Sequence, residues 1–314
     1  MPARIVSVFG ATGTQGRDRC FTSGNAVIRT LLKDGTFTPR AIVRNPDSEA
    51  ALKLKGQGIE VVKGDGLDKE SLVGALRGSE AVLGVTAPIF PLKAEGEGPN
   101  ELTWGKNMVD AAKEAGVNFF IWSSLPSVKK LSDGKYTNVI HYDQKAAVEE
   151  YLKSSGLANA SFHLGGFLEN YWKFGLLKKT DTGYDVAVPH YKVTDRQAFT
   201  WVEQAVPATV LALLKNYTDP SKNISGKTYP IVNANLSYSE LAALTGKALG
   251  VEVTFTTAPA MGMGPIDEMY QSHAEYSGLY TATSVPNPDL VALGVKFGTI
   301  QEFLETEVKP RFGA

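Results

Sequence analysis

One cysteine, Cys20, occurs in 314 residues. That excludes an intramolecular disulfide and leaves too few thiols for a cysteine-built metal cluster. No apolar run approaches the roughly 20 residues that cross a bilayer, and no charged, then apolar, leader precedes the first strand-like segment. The formal net charge is −1, so no broad field recruits nucleic acid or an anionic membrane. Neither a Gly-x-Ser-x-Gly element nor a zinc-ligand spacing is present, and no internal repeat is visible. These absences predict a soluble, reduced protein of the cytoplasm, with the nucleus as a second compartment. They point away from nucleic acid and membrane as partners and leave the oligomeric state open. Apolar residues make up 43% and charged residues 21%, enough material for one large domain or for one domain with a smaller lobe.

The first half alternates short apolar runs with longer helical patterns. Strands are predicted at 4–9, 39–43, 59–63, 81–86, 118–123 and 160–164. Helices are predicted at 25–34, 69–77, 100–115 and 139–155. Several of these end on a lysine followed closely by glycine, as in KEAG, KSSG and KDG, a favoured helix stop. Strict alternation with near-continuously apolar strands points to right-handed βαβ units and a parallel sheet covered on both faces. The predicted fold is α/β and doubly wound, with a dinucleotide-binding domain over 1–165. Residues 166–314 are less regular and are expected to form a smaller substrate or partner lobe, some of whose segments return to the main sheet. In that region a helix is predicted at 202–215, and SYSE has capping-box spacing from Ser237 to Glu240. The segment DTGYDVAVPHYKVTD is expected to be a hairpin or irregular extended chain. The aromatics of this region, among them Tyr171, Trp172 and Tyr191, suit either a core or an apolar pocket.

The first strand runs into Gly10-x-x-Gly13-x-x-Gly16. Glycines there permit a tight turn and let backbone N–H groups approach a pyrophosphate at the start of the next helix. The second strand then ends on Val43-Arg44-Asn45-Pro46. An acid at that place would favour a ribose 2′-hydroxyl, whereas arginine suits a 2′-phosphate and hence NADP(H). Asp65 ends the third strand and Thr86 the fourth, both where a dinucleotide would pass. Yet Arg44 lies 34 positions after Gly10, against about 20 in the usual motif. Deleting GRDRCFTS would join GATGTQ to GNAVIRTLL as one turn and helix. Either Gly16 remains the third glycine or Gly24 has inherited its packing role; contiguity favours Gly10, Gly13 and Gly16 for the phosphate turn.

GATGTQG, LLKDGTF, VRNP, VVKGD, WSSLPSVKKL, HYDQKAAVEEYLKSSG and GGFLENY together resemble the NmrA-like family of atypical short-chain dehydrogenase/reductases. The likeness covers at least the first 175 residues. It implies a Rossmann domain that binds NADP(H), with a smaller C-terminal lobe. It further implies contacts from Gly10 to Gly16, with Thr12, Thr14 and Gln15 near phosphate, Arg44 at the 2′-phosphate and Asp65 at the adenine. Thr86, Lys106, Lys145 and the FLEN segment, Phe167, Leu168, Glu169 and Asn170, would line the cofactor. The extra octapeptide departs from the family pattern.

Typical short-chain reductases carry Tyr-x-x-x-Lys on a helix, where the tyrosine donates a proton and the lysine holds the nicotinamide ribose. Here the spacing reads His141-Tyr-Asp-Gln-Lys145. Residues four apart share a helix face, so His141 stands where the tyrosine would, and Tyr142 points about 100° away. As a reductase of a small apolar carbonyl, imine or enone, the protein would use His141 as general acid, Lys145 on the cofactor and Ser123 or Ser124 to orient the substrate oxygen. The competing reading is a redox sensor that binds NADP(H) without turnover and signals to a protein partner. The reductase reading leads.

Overall fold

The computed structural model describes residues 3–12, 23–89, 91–93, 97–280 and 283–313. In chain order the first elements are β1 (Ile5–Val8), α1 (Ser23–Asp34), β2 (Thr38–Val43), α2 (Glu49–Gly56), β3 (Glu60–Lys63), α3 (Lys69–Leu76), β4 (Ala81–Gly84), α4 (Glu101–Glu114) and β5 (Phe119–Ser124). There follow α5 (Val128–Leu131), α6 (Ile140–Ser154), β6 (Asn159–Leu164), β7 (Gly166–Phe167), α7 (Asn170–Lys173), β8 (Leu177–Lys179), β9 (Gly183–Pro189) and β10 (Arg196–Thr200). Then come α8 (Val202–Asn216), β11 (Lys227–Ile231), β12 (Ala234–Ser237), α9 (Tyr238–Leu249), β13 (Glu252–Ala258) and α10 (Gly264–Glu275), before shorter helical turns.

Two compact units divide the chain. The first comprises Met1–Ser127, Ile140–His163 and Val206–Tyr229. Its centre is a seven-stranded sheet in the order β11-β6-β5-β4-β1-β2-β3. The pairs β1–β2, β2–β3, β1–β4, β4–β5 and β5–β6 are all parallel. From β1 the chain winds one way through β2 and β3, then the other way through β4, β5 and β6, so the expected doubly wound α/β fold is present. The strand order reverses between β1 and β4, and ligands of such folds sit beyond the carboxyl ends of the strands at that crevice.

Local chemistry explains the element ends. Ser48, Asp68 and Asn100 each accept a backbone N–H at the N-terminus of α2, α3 and α4, which satisfies a donor that the helix leaves open. β4 and β5 are buried along their whole length, as a strand covered on both faces must be. Leu72, Met108, Val109, Phe120, Trp122 and Val148 pack in one cluster under α3, α4 and α6. The helix α2 was not anticipated. The strand predicted to reach Thr86 stops at Gly84, two residues before Thr86.

The second unit comprises Val128–Val139, Leu164–Ala205 and Pro230–Ala314. It holds two three-stranded sheets, β12-β10-β7 and β13-β9-β8. Within that segment GYDVAVP forms β9, antiparallel to β8 and parallel to β13. The predicted capping box at Ser237 and Glu240 starts α9. Tyr171 and Tyr191 are buried in this unit's core, where Tyr191 meets Tyr238 edge to face at 4.8 Å. Among the described residues no helix is long and apolar enough to cross a membrane.

Gly105 on α4 sits where a Cβ would lie 2.4 Å from Val148 Cγ2 on α6. Helix propensity alone would make Gly105→Ala stabilising by about 1 kcal/mol, whereas overpacking costs about 1–3 kcal/mol. A lower denaturation midpoint is therefore expected for Gly105→Ala in urea. A raised midpoint would show that α4 and α6 are less closely packed than described.

Candidate functional site

The turn after β1 begins at Gly10, whose φ of +71° belongs to the left-handed region that favours glycine. A Cβ there would also meet Val85 Cγ1 at 2.8 Å. Thr12 lies in the same turn, partly buried. Gly13, Thr14, Gln15 and Gly16, with most of the extra octapeptide, lie outside the described residues. Gly24, in the first turn of α1, answers part of the spacing problem. A Cβ on it would lie 2.7 Å from the Phe9 carbonyl oxygen and 2.7 Å from the Gly10 carbonyl carbon. Backbone cannot yield as a flexible side chain can, so Gly24 provides the close helix-to-strand approach expected of a third glycine.

At the other end of the crevice, Arg44 follows β2 and is exposed. Its guanidinium carbon stands 5.8 Å from the ring centroid of Trp104 on α4. Asp65 follows β3, and its Oδ1 accepts the Leu67 N–H at 3.0 Å, closing its own turn. Gly66 lies directly under Trp104: a Cβ there would fall 1.3 Å from the indole Nε1. Asn107, one turn further along α4, donates from Nδ2 to the Gly66 carbonyl at 3.0 Å. Lys106, between these two residues, places its ammonium 5.6 Å from the Tyr151 ring centroid.

Beyond β4 a buried polar network joins α4 to α6. Lys145 Nζ donates to the Thr86 carbonyl at 2.7 Å and to Thr86 Oγ1 at 2.9 Å, and it pairs with Glu101 Oε1 at 2.8 Å. Thr86 Oγ1 donates in turn to Glu101 Oε1 at 2.6 Å. The three ammonium protons thus have three acceptors, and both charged side chains are nearly sealed from solvent, at 9% and 1% exposure. The main-chain carbonyl of Lys145 accepts from Trp122 Nε1 and Ser124 Oγ. Gln144 accepts the Glu101 N–H and donates to the Lys93 carbonyl, which ties down the loop after β4. Glu101 Oε2 is buried with no hydrogen-bond partner among the described residues.

His141 and Lys145 share a face of α6, as their spacing predicts. The imidazole, however, is buried at 7% exposure, and its Nδ1 has no partner among the described residues. Burial, with the Lys145 charge adding to it, pushes its pKa down from 6.5 to about 4. Near neutral pH the ring is therefore uncharged. Ser123 is buried at the end of β5, and Ser124 is spent on the Lys145 carbonyl.

The FLEN segment belongs to the second unit. Phe167 is partly buried, while Leu168 is enclosed and donates its N–H to the Thr200 carbonyl. Glu169 Oε1 accepts the Glu203 N–H at 2.9 Å in the first turn of α8, and burial raises this carboxyl's pKa. Asn170 Oδ1 is buried without a partner among the described residues. Glu101, Trp104, Gly66 and Gln144 were not singled out from the sequence. Nothing in their local spacing marks them; only the packing of α4 against the strand ends does. Among the described residues no cluster of three potential metal ligands occurs.

The depressed His141 pKa sets a pH dependence of stability. Between about pH 4 and 6.5 the unfolded chain binds a proton that the native chain does not, so stability falls on acidification through that window, by roughly 3 kcal/mol in all. His141→Gln is expected to flatten the urea midpoint between pH 6.5 and 4 relative to wild type. Equal slopes in the two proteins would contradict the buried, neutral imidazole.

The sequence profile of the NmrA-like family matches residues 2–289. An NmrA-like family domain-containing oxidoreductase of Aspergillus sp. (strain MF297-2) is 41% identical over 154 residues, 49% of this chain and 43% of that protein. One of Aspergillus hancockii is 36% identical over 174 residues, 55% of this chain and 48% of that protein. The chain thus spans about half the length of these two relatives. A third, of Penicillium ochrochloron, is 26% identical over 325 residues, 98% of this chain and 94% of that protein. Among solved structures, the negative transcriptional regulator NmrA in complex with NADP superposes with a TM-score of 0.75 at 17% identity, over 99% of this chain and 97% of that one. An Escherichia coli NADPH-dependent quinone oxidoreductase complexed with NADPH gives 0.66 at 23% identity, over 95% and 98%. The structural likenesses speak for the fold, and the profile match over most of the length establishes that the chain belongs to the NmrA-like family.

Proposed function

We propose that the protein binds NADP(H) along the carboxyl edge of its seven-stranded sheet and acts as an NADPH-dependent reductase of a small apolar carbonyl, imine or enone. The observation that carries the cofactor reading is the close approach of Gly24 to Phe9 and Gly10. It brings the N-terminus of α1 against the end of β1, where an aligned set of backbone N–H groups favours a diphosphate. Gly10 and Thr12 would hold that group. Arg44 would bind the 2′-phosphate and Asp65 the adenosine. Thr86 and Lys145 would face the nicotinamide side. When bound, the dinucleotide supplies a hydride to the substrate carbon. His141, neutral near pH 7, offers no imidazolium proton, so a product oxygen or nitrogen would take its proton from water. The names of the fungal relatives, all oxidoreductases, support the reductase reading. The family resemblance adds support for NADP(H), and the NADP and NADPH complexes of the two solved relatives agree with it.

A second reading has its own support. Lys145 has its ammonium protons engaged by Thr86 and Glu101, and no charged histidine stands ready. That arrangement suits a protein that binds NADP(H) and reports its redox state to a protein partner. Following NADPH absorbance with a panel of aldehydes, cyclic imines and quinones separates the two. Steady oxidation with any of them supports the reductase. Its absence, together with a partner whose affinity changes with NADP(H), supports the sensor.

Cofactor choice is tested separately. Arg44→Ala is expected to weaken NADP⁺ binding about 10- to 100-fold, the worth of a charge-assisted hydrogen bond, while NAD⁺ binding is unchanged. An unaltered NADP⁺ affinity by calorimetric titration would defeat the assignment of Arg44.

A further inference from the structure

Resting on the NADP(H) reading, we infer that Trp104 determines the strength of the 2′-phosphate preference by positioning Arg44 and the Asp65–Gly66 turn together. The guanidinium lies 5.8 Å from the centroid of the indole, within the roughly 6 Å over which a ring face attracts a cation. Among the described residues no hydrogen bond or ion pair engages the Arg44 guanidinium. The ring is therefore what selects among the rotamers of a long, exposed side chain. On its edge, the same indole presses on Gly66 so closely that no side chain fits there. A buried indole N–H ordinarily finds an acceptor, but Trp104 Nε1 has none among the described residues. Contact with Gly66, rather than hydrogen bonding, sets the ring's orientation. Asn107 holds the Gly66 carbonyl from the same helix, so α4 grips the turn twice. The groups proposed for the two parts of the adenosine, a cation after β2 and a carboxylate after β3, thus share one support on α4. Trp104 acts through Arg44 and the turn, as a positioning residue.

Calorimetric titrations of wild type, Trp104→Leu, Trp104→Phe, Arg44→Ala and the Arg44→Ala/Trp104→Leu double variant with NADP⁺ and NAD⁺ test this. Loss of the ring should lower the ratio of NADP⁺ to NAD⁺ affinity by about 2- to 5-fold, the worth of an exposed cation–aromatic contact. In the Arg44→Ala background the same change should leave the ratio where it is. General damage to the fold would weaken both nucleotides alike and so leave the ratio unmoved. If Trp104→Leu does not fold, Trp104→Phe carries the comparison, with a smaller fall in the ratio. An unchanged ratio in either folded variant, or an equal fall without Arg44, would overturn the inference while leaving the cofactor reading intact. Wild type that binds neither nucleotide would overturn both.

Discussion

An ammonium and a carboxylate, Lys145 and Glu101, meet at 2.8 Å in a place almost closed to water. Removing two charges from solvent is costly, and their attraction offsets that cost only when further hydrogen bonds complete the geometry. Here Thr86 supplies them, from its carbonyl and its hydroxyl. The consequence reaches well beyond the pair. α4 carries Glu101, Trp104 and Asn107; α6 carries His141, Gln144 and Lys145; the loop after β4 carries Thr86. One buried interaction therefore fixes two helices and a strand end relative to each other, and with them the walls on both arms of the crevice. It also lowers the affinity of His141 for a proton, since the Lys145 charge adds to the effect of burial.

The crevice divides chemically along its length. Near β1 the described residues offer mainly backbone: a glycine with positive φ, another whose missing side chain lets helix touch strand, and the start of α1. Such a surface suits an anion that needs many N–H donors and little bulk. Toward β2 and β3 the character changes to an exposed cation, an indole and a carboxylate that closes its own turn. Toward β4 and β5 the polar groups are dry and mostly paired with one another, Glu101 Oε2 and His141 Nδ1 excepted among the described residues. A dinucleotide has the matching sequence of parts, with a diphosphate between a charged adenosine end and a reactive ring that is uncharged in the reduced form. Membership of the NmrA-like family agrees with that correspondence.

Much of the architecture was legible because it is written in local patterns. Apolar runs such as AVLGVT and NFFIWS announced strands covered on both faces, and KEAG and SYSE announced helix ends. The site was only partly legible. The spacing of His141 and Lys145 places them on one face of α6, but spacing carries no information about burial, and burial leaves the histidine without a proton to donate near neutral pH. Glu101 looked like any acid near a helix start. Its importance arises from a lysine 44 positions away in the sequence. Trp104 was hidden for the same reason, since its contacts with Arg44 and Gly66 exist only once three chain segments have converged. Of the two candidate glycines, Gly16, favoured by contiguity for the phosphate turn, lies outside the described residues, while Gly24 makes the close approach of α1 to β1.

The central claim is that this edge of the sheet, and no other surface, receives NADP(H). Hydrogen–deuterium exchange read by mass spectrometry, with and without saturating NADP⁺, addresses it directly. Slower exchange is predicted in peptides spanning the end of β1 and the first turn of α1, the segment after β2 and the Asp65–Gly66 turn, with less effect from NAD⁺ after β2. Protection confined to other surfaces, or none despite measurable binding, would contradict the account.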